Sequence, residues 1–556
     1  MKTTPFLWIL NRIRRRIPAI VVMTLAQAGS ALLAVLFALG SRGVIDAAVA
    51  GEEAAFARAC VWQVGIIAGL LGCQVLARHL RDRLEADLER DWKQRLLRGL
   101  LCGEYEQVAA YHSGELLNRM NNDVRRMNEG VLSIVPGAAS MITRLLAAVV
   151  VLGALDLRFT LLIAALGVVA AGATAVMRRR LKELSKNVSR QDGKVSSFLQ
   201  EILEKLLMVQ AMDVSEEVNR RADVLLQERY QVQKKRKNAV LMANTGISVM
   251  ALGSGFLALL WCGGKLLQGQ MSFGSLTAVI QLVNQLQTPF MNLSGLLPQY
   301  VAMVASAERL MELEAIEGEP APLGDDPKAL YNRKQLIYAQ GLDFAYDRDQ
   351  LLEDAAFTLP LRSFVVITGP SGIGKSTLLK LMLGVFCPQR GKMALQGEGD
   401  DVQLDRSTRR LFAYVPQGNL LLSGSLRENL RIVRPEATEE ELRQAAYVSA
   451  LDEVLQQLPE GLDTVLGENA AGLSEGQAQR LAIARGVLSG APILLLDEST
   501  SALDEATEQK VLRRLKELPG KTCIAVTHRP AAKALADWEL QVKNRKILCV
   551  KSGKCE

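Results

Sequence analysis

Six runs in the first part of the chain, at 17–41, 59–77, 130–155, 159–177, 239–264 and 266–307, are free of Asp, Glu, Lys and Arg except for a single residue, Arg144. A helix needs ~20 apolar residues to cross the hydrocarbon core of a bilayer. These runs therefore predict membrane spans at about 17–41, 59–77, 130–155, 159–177, 239–264 and 274–307, the last preceded by an outer turn. The first is too long to be a cleaved leader and lacks a small-residue cleavage site. The net charge of +7 would suit nucleic acid. Its basic clusters instead flank apolar runs: NRIRRR at 11–16, RHLRDR at 78–83, MRRRLK at 177–182 and KKRK at 234–237. That pattern points to membrane orientation and away from nucleic acid. It puts all four flanks, both termini and everything after the last span on the cytoplasmic side. The long charged segments after the second and fourth spans keep helical spacing without proline, so they read as membrane helices that run on into the cytoplasm.

Two features inside the spans stand out. Arg144 is an intramembrane charge, which either faces a cavity or partner or snorkels to the headgroups. Gln281, Gln285, Thr288, Asn292 and Gln299 recur at helical steps on one face. The stripe suits a water-accessible pathway, with polar glue between helices as the other reading. Pro289 lies within it and would kink the helix. The eight cysteines form no C-x-x-C pair, which suits reduced thiols, and three histidines leave little for a metal cluster.

After a polar linker containing EGEPAPLGDDP (317–327) the pattern becomes that of an α/β domain. GPSGIGKST follows the strand-like run FVVIT and opens a helical run. Gly369, Pro370, Ser371, Gly372, Ile373, Gly374, Lys375, Ser376 and Thr377 thus fit G-x-x-x-x-G-K-[ST] in its structural setting. Loop N–H groups at a helix N-terminus cradle phosphate oxygens, Lys375 adds a point charge, and the Ser376 hydroxyl ligates Mg²⁺. ILLLDE (493–498) reads as a buried parallel strand ending in two carboxylates. Asp497 would hold Mg²⁺ and Glu498 would polarise the attacking water. With Lys375 they predict a P-loop ATPase using ATP and Mg²⁺.

Taken together, the chain resembles the exporters of the ATP-binding cassette (ABC) family in their half-transporter form. The resemblance implies a six-helix all-α transmembrane domain (1–312) with long cytoplasmic helix extensions, a linker (313–335) and an α/β P-loop ATPase domain (336–556). It implies that Tyr346 stacks on adenine, that Gln417 in YVPQ contacts Mg²⁺, that Asp504 ends the D-loop SALD, and that His528 in THR holds the γ-phosphate. TVLGENAAGLSEGQ (464–477) resembles the stretch leading into the family's signature, with Glu468 at its acidic position. LSEGQ resembles LSGGQ, with Glu475 replacing the first glycine and with Ser474, Gly476 and Gln477 retained. YHSGELLNRMNNDV (111–124) resembles the first intracellular loop, its start a coupling helix, and VQAMDVSEE (209–217) the second.

The family's mechanism implies a dimer of half-transporters in the bilayer, in which each signature completes the other chain's ATP site. A homodimer is the simplest form, and a heterodimer with one weakened site remains open because of Glu475. The implied activity is ATP-driven export of a small amphipathic substrate (lipid, drug or peptide) by a multi-pass protein of the bacterial inner membrane. An importer on the same fold and an ATP-gated regulatory protein are the alternatives.

Overall fold

The computed structural model describes residues 4–318, 326–346, 349–418, 421–467 and 472–551, without the side chains at 168–171, 173–176, 178–179, 247, 288–295 and 297. Contacts divide the chain into two compact units: Met1–Arg98 with Ser113–Ala315, and Gly99–His112 with Ile316–Glu556.

The first unit is helical. Its long helices are α1 (Ile17–Ala50), α2 (Glu53–Cys102), α3 (Val124–Leu155), α4 (Leu157–Glu204), α5 (Ser215–Leu267) and α6 (Phe273–Glu314). With 50 residues at 1.5 Å each, α2 is about 75 Å long, far more than a ~30 Å hydrocarbon core. The excess is long enough for the expected extension beyond the bilayer. Among the described residues, four helices are long and apolar enough to span a membrane: Arg14–Ala50, Glu53–Cys102, Ser113–Leu155 and Ser215–Leu267. The remaining two expected spans fall in α4 and α6, parts of which lie outside the described side chains.

Local chemistry sets the helix ends. Gly51 ends α1 in the left-handed region, φ 71°. Asp156 caps α4 by accepting from the N–H groups of Arg158 and Phe159, and it also accepts from Trp261 Nε1 (2.9 Å) and the Lys265 ammonium. One buried carboxylate thus ties the α3–α4 turn to the end of α5. At the other end of this unit, Asp123 is 1% exposed and accepts from Arg309 Nε (2.8 Å) and Ser306 Oγ (2.9 Å). Asp123 closes a π-helical turn, Arg119–Asp123.

The second unit holds two main sheets. In the first, β1 (Lys334–Tyr346) pairs antiparallel with β2 (Asp349–Pro360) and with β4 (Arg390–Gly397). The second contains β3 (Phe364–Thr368), β5 (Phe412–Val415), β6 (Ile493–Asp497), β7 (Thr522–Val526), β8 (Trp538–Lys543) and β9 (Lys546–Lys551), in the order β9-β8-β3-β7-β6-β5. It is parallel apart from the β8–β9 edge. β3, β6 and β7 are buried at every residue, as strands covered on both faces must be. The helices that matter for the site are α7 (Lys375–Met382), α8 (Glu475–Leu488) and α9 (Glu505–Lys516). β1 starts at Lys334, two residues ahead of the expected start of the ATPase domain.

The structure departs from the expected division at one segment. The short helix Tyr105–Ala109 lies within the second unit, anchored by a Gly103–Gly318 bridge, by Glu104 N–H donating to Glu317 O (3.0 Å), and by Arg406 donating to Cys102 O (2.9 Å). The stretch 111–124, where a coupling helix is expected at the start, opens with the short helix Ser113–Asn118. The segment expected as the second intracellular loop, 209–217, holds the end of the helix Leu206–Ala211 and a turn at Asp213, φ 53°.

Candidate functional site

The P-loop joins β3 to α7. Gly369, Gly372 and Gly374 have φ 153°, 76° and 102°, which L side chains rarely adopt. A Cβ at Gly369 would stand 2.6 Å from Val542 O. The loop thus curls over its own helix N-terminus, presenting backbone N–H groups where an anion binds. Lys375 is 5% exposed, and its ammonium donates to the carbonyls of Gly369 and Pro370, both at 2.9 Å. Burial draws this ammonium below the ordinary lysine range, against the opposing pull of Glu498 and Asp497.

Parallel strand order brings distant segments to this loop. β6 lies next to β7, with Asp497 opposite Val526, so the carboxylate pair and the His528 turn share one sheet edge. The Ser376 hydroxyl donates to Asp497 Oδ1 (2.7 Å). Gln417 Nε2 donates to Glu498 Oε2 (2.8 Å), and His528 Nε2 stands 3.9 Å from Glu498 Oε1. Glu498 has φ 48°, a strained setting that persists only where the surroundings hold it. Its N–H donates to Val526 O at 3.1 Å, which supplies part of that hold. The Ser376 hydroxyl bonded to Asp497, with the Gln417 amide bonded to the next residue, supplies hard-oxygen donors of the kind that suit Mg²⁺ held together with phosphate oxygens.

Tyr346 lies at the end of β1, 40% exposed, edge-on to Phe344 and Phe386. Phe386 in turn meets Tyr105, 5.9 Å between ring centres. The Tyr346 hydroxyl is 3.5 Å from the Thr377 hydroxyl. Ser474 caps α8: its hydroxyl accepts from Gln477 N–H (3.3 Å) while Gln477 Oε1 accepts from Ser474 N–H (2.9 Å). Glu475 is exposed at the first helical position. A Cβ at Gly476 would stand 2.9 Å from Ala502 O, so that glycine is required by close approach to the D-loop. Asp504 caps α9 by accepting from Thr507 N–H (2.9 Å), which lowers its carboxyl pKa.

Sequence reading missed two contributors. The Tyr414 hydroxyl donates to Asp497 Oδ2 (2.9 Å), and burial with the nearby Asp497 charge raises its pKa. Arg529 donates to the carbonyls of Ser501 and Leu503. YVPQ and THR contain these residues, but neither motif announces a partner more than twenty positions away.

In the first unit, Gln285 Nε2 donates to Ala34 O on α1 (2.7 Å), so this member of the stripe joins two helices. Gln281 and Arg144 are half-buried, and among the described residues Arg144 makes no hydrogen bond or ion pair. The side chains of Thr288, Pro289 and Asn292, and all of Glu468, lie outside the described residues.

The description "ABC transporter transmembrane region" matches residues 19–290, and "ABC transporter" matches residues 352–501. The chain belongs to the ABC transporter family. The uncharacterized ABC transporter ATP-binding protein YwjA of Bacillus subtilis (strain 168) is 28% identical over 85% of this chain and 83% of its own length. The mitochondrial iron-sulfur clusters transporter ATM1 of Yarrowia lipolytica is 34% identical over 52% of this chain and 40% of its own length. The solved structure of a bacterial Atm1-family ABC exporter with ATP bound is alike in fold, with TM-score 0.78 over 97% of this chain and 95% of that one at 24% identity. This transporter is therefore an integral membrane protein with an exporter-type membrane region fused to an ATP-binding domain.

Proposed function

We propose that two copies of this transporter form an ATP-driven exporter of a small amphipathic molecule, working across the bacterial inner membrane with the ATPase domains in the cytoplasm. The observation that carries the reading is the convergence of Ser376, Asp497, Glu498, Gln417 and His528 at the mouth of the P-loop. Mg²⁺ bound with ATP supplies a divalent charge that neutralises the phosphate oxygens. Loop N–H groups and Lys375 hold the phosphates, and Ser376, Asp497 and Gln417 hold the ion. Glu498 orients and polarises the attacking water, His528 faces the γ-phosphate, and Tyr346 stacks on adenine. Ser474 Oγ and the Gly476 N–H serve the second copy's nucleotide. Both lie at an exposed helix N-terminus, where a partner's phosphate gains from the helix dipole.

ATP favours the closed pair because it touches both chains only there, and that differential affinity is the source of the work. Glu498→Gln tests the assignment. Loss of a general base lowers turnover by ~10²–10⁴, and the variant is expected to retain bound ATP. Steady-state hydrolysis within a few-fold of wild type would overturn the role given to Glu498.

A further inference from the structure

Arg529 follows His528 directly, and Pro530 after it holds its backbone extended, φ −81° and ψ 137°. Its side chain reaches the D-loop. Nη1 donates to Leu503 O (2.8 Å) and to Glu508 Oε2 (3.0 Å), and Nη2 donates to Ser501 O. Glu508, one turn into α9, is 1% exposed, and its other oxygen accepts from the Thr500 hydroxyl (2.8 Å). A carboxylate so deeply buried requires a paired cation. The guanidinium fork supplies the charge while also holding two carbonyls of one loop, a geometry open to arginine and closed to lysine.

The D-loop is fastened equally on its other side. Gln479, 5% exposed on the signature helix α8, donates from Nε2 to the Ser501 hydroxyl (3.2 Å) and accepts through Oε1 from Ala502 N–H (3.0 Å). Ser501, Ala502 and Asp504 nevertheless remain exposed. A continuous chain of polar contacts therefore runs from the residue beside His528, through Ser501–Leu503, to the helix whose N-terminus carries LSEGQ.

We propose that Arg529 and Gln479 are positioning residues that couple a chain's own ATP site to the one its signature completes on a second copy. The proposal rests on the dimeric reading above. His528 senses the γ-phosphate, Arg529 passes its position to the D-loop, and Gln479 passes that to α8. Ligands that bias one shared element are coupled by 1–3 kcal/mol, which corresponds to 5–150-fold in affinity.

The test is the ATP dependence of steady-state hydrolysis by the full chain in lipid nanodiscs, for wild type, Arg529→Gln, Arg529→Lys and Gln479→Leu. Binding of a fluorescent ATP analogue is measured on the same samples. Wild type is expected to be cooperative. Arg529→Gln and Gln479→Leu are expected to bring the Hill coefficient to about one and to raise the half-saturating concentration of ATP and of the analogue by about twofold to tenfold. Lysine at 529 is expected to recover melting temperature without cooperativity. Cooperativity retained in the well-folded variants overturns the proposal and leaves the dimeric reading standing. A non-cooperative wild type overturns the proposal, whereas a nanodisc particle whose mass holds one chain overturns the dimeric reading beneath it. If Arg529→Gln fails to fold, Gln479→Leu, which leaves no charge unpaired, decides the matter.

Discussion

Glu475 and Gly476 occupy adjacent positions with opposite demands. Glu475 is exposed in the first turn of α8, where the helix dipole favours a carboxylate by ~0.3–1 kcal/mol. Gly476 has backbone pressed against Ala502 and no room for a Cβ. Glu475→Gly is therefore expected to change the ATPase rate of the purified transporter by less than about threefold, since glycine costs the helix only ~1 kcal/mol. A rise of an order of magnitude in a hydrolysis assay would mark LSEGQ as a weakened half-site and favour a second, different chain. Tyr414 makes the other residue-level prediction. Its hydroxyl orients Asp497 from behind, and outer-shell groups of this kind are worth ~10–100-fold in metal affinity. Tyr414→Phe should shift the Mg²⁺ concentration for half-maximal hydrolysis upward by about tenfold, with little change in Mg²⁺-free nucleotide binding. An unchanged Mg²⁺ titration would remove Tyr414 from the site.

At the scale of elements, Asp537 joins three pieces of the ATPase domain. Its carboxylate accepts from Phe364 N–H at the start of β3 and from Lys516 at the end of α9, both at 2.8 Å. Burial opposes ionisation, but the Lys516 ammonium and the Phe364 N–H outweigh it and hold the carboxyl below the ordinary aspartate range. A depressed folded pKa contributes stability that is complete above the unfolded value, ~3.9, and is lost as pH falls through the folded one. Asp537→Asn should lower stability by ~1 kcal/mol near neutral pH, a modest amount because the pair is partly exposed and screened. Thermal melts of both proteins should converge as pH falls below ~4. A gap that persists in acid would show that the carboxylate charge is not the cause. The strand that Asp537 joins is legible in the sequence, because FVVIT is an apolar run of strand length. The placement of Tyr105–Ala109 with the ATPase unit is not, because its partners Gly318 and Arg406 lie hundreds of residues away.

For the whole molecule, the half-buried Arg144 makes no hydrogen bond or ion pair among the described residues, although it sits in a helix that is apolar for a membrane's thickness. Intramembrane charges of this kind mark substrate pathways. Arg144→Ala should reduce ATP-driven uptake of an anionic amphiphile into inverted vesicles by about tenfold or more, the loss of a charge-assisted bond of about 1.5–3 kcal/mol. Uptake of a neutral analogue and basal hydrolysis should change by less than about twofold. Equal loss for both substrates would assign Arg144 to helix packing. The amide stripe reads differently in part, since Gln285 spends its donor on the Ala34 carbonyl of α1.

The sequence by itself determined the apolar helices, the P-loop and the carboxylate strand, because each depends on hydropathy period or backbone conformation within a few neighbouring residues. Only the tertiary structure decided that Tyr414 meets Asp497, that Gln417 and His528 converge on Glu498, and that Arg529 and Gln479 grip the D-loop from opposite sides. Those meetings follow from strand order. β3, β5, β6 and β7 are far apart in the chain but side by side in one parallel sheet, so their ends gather on one edge.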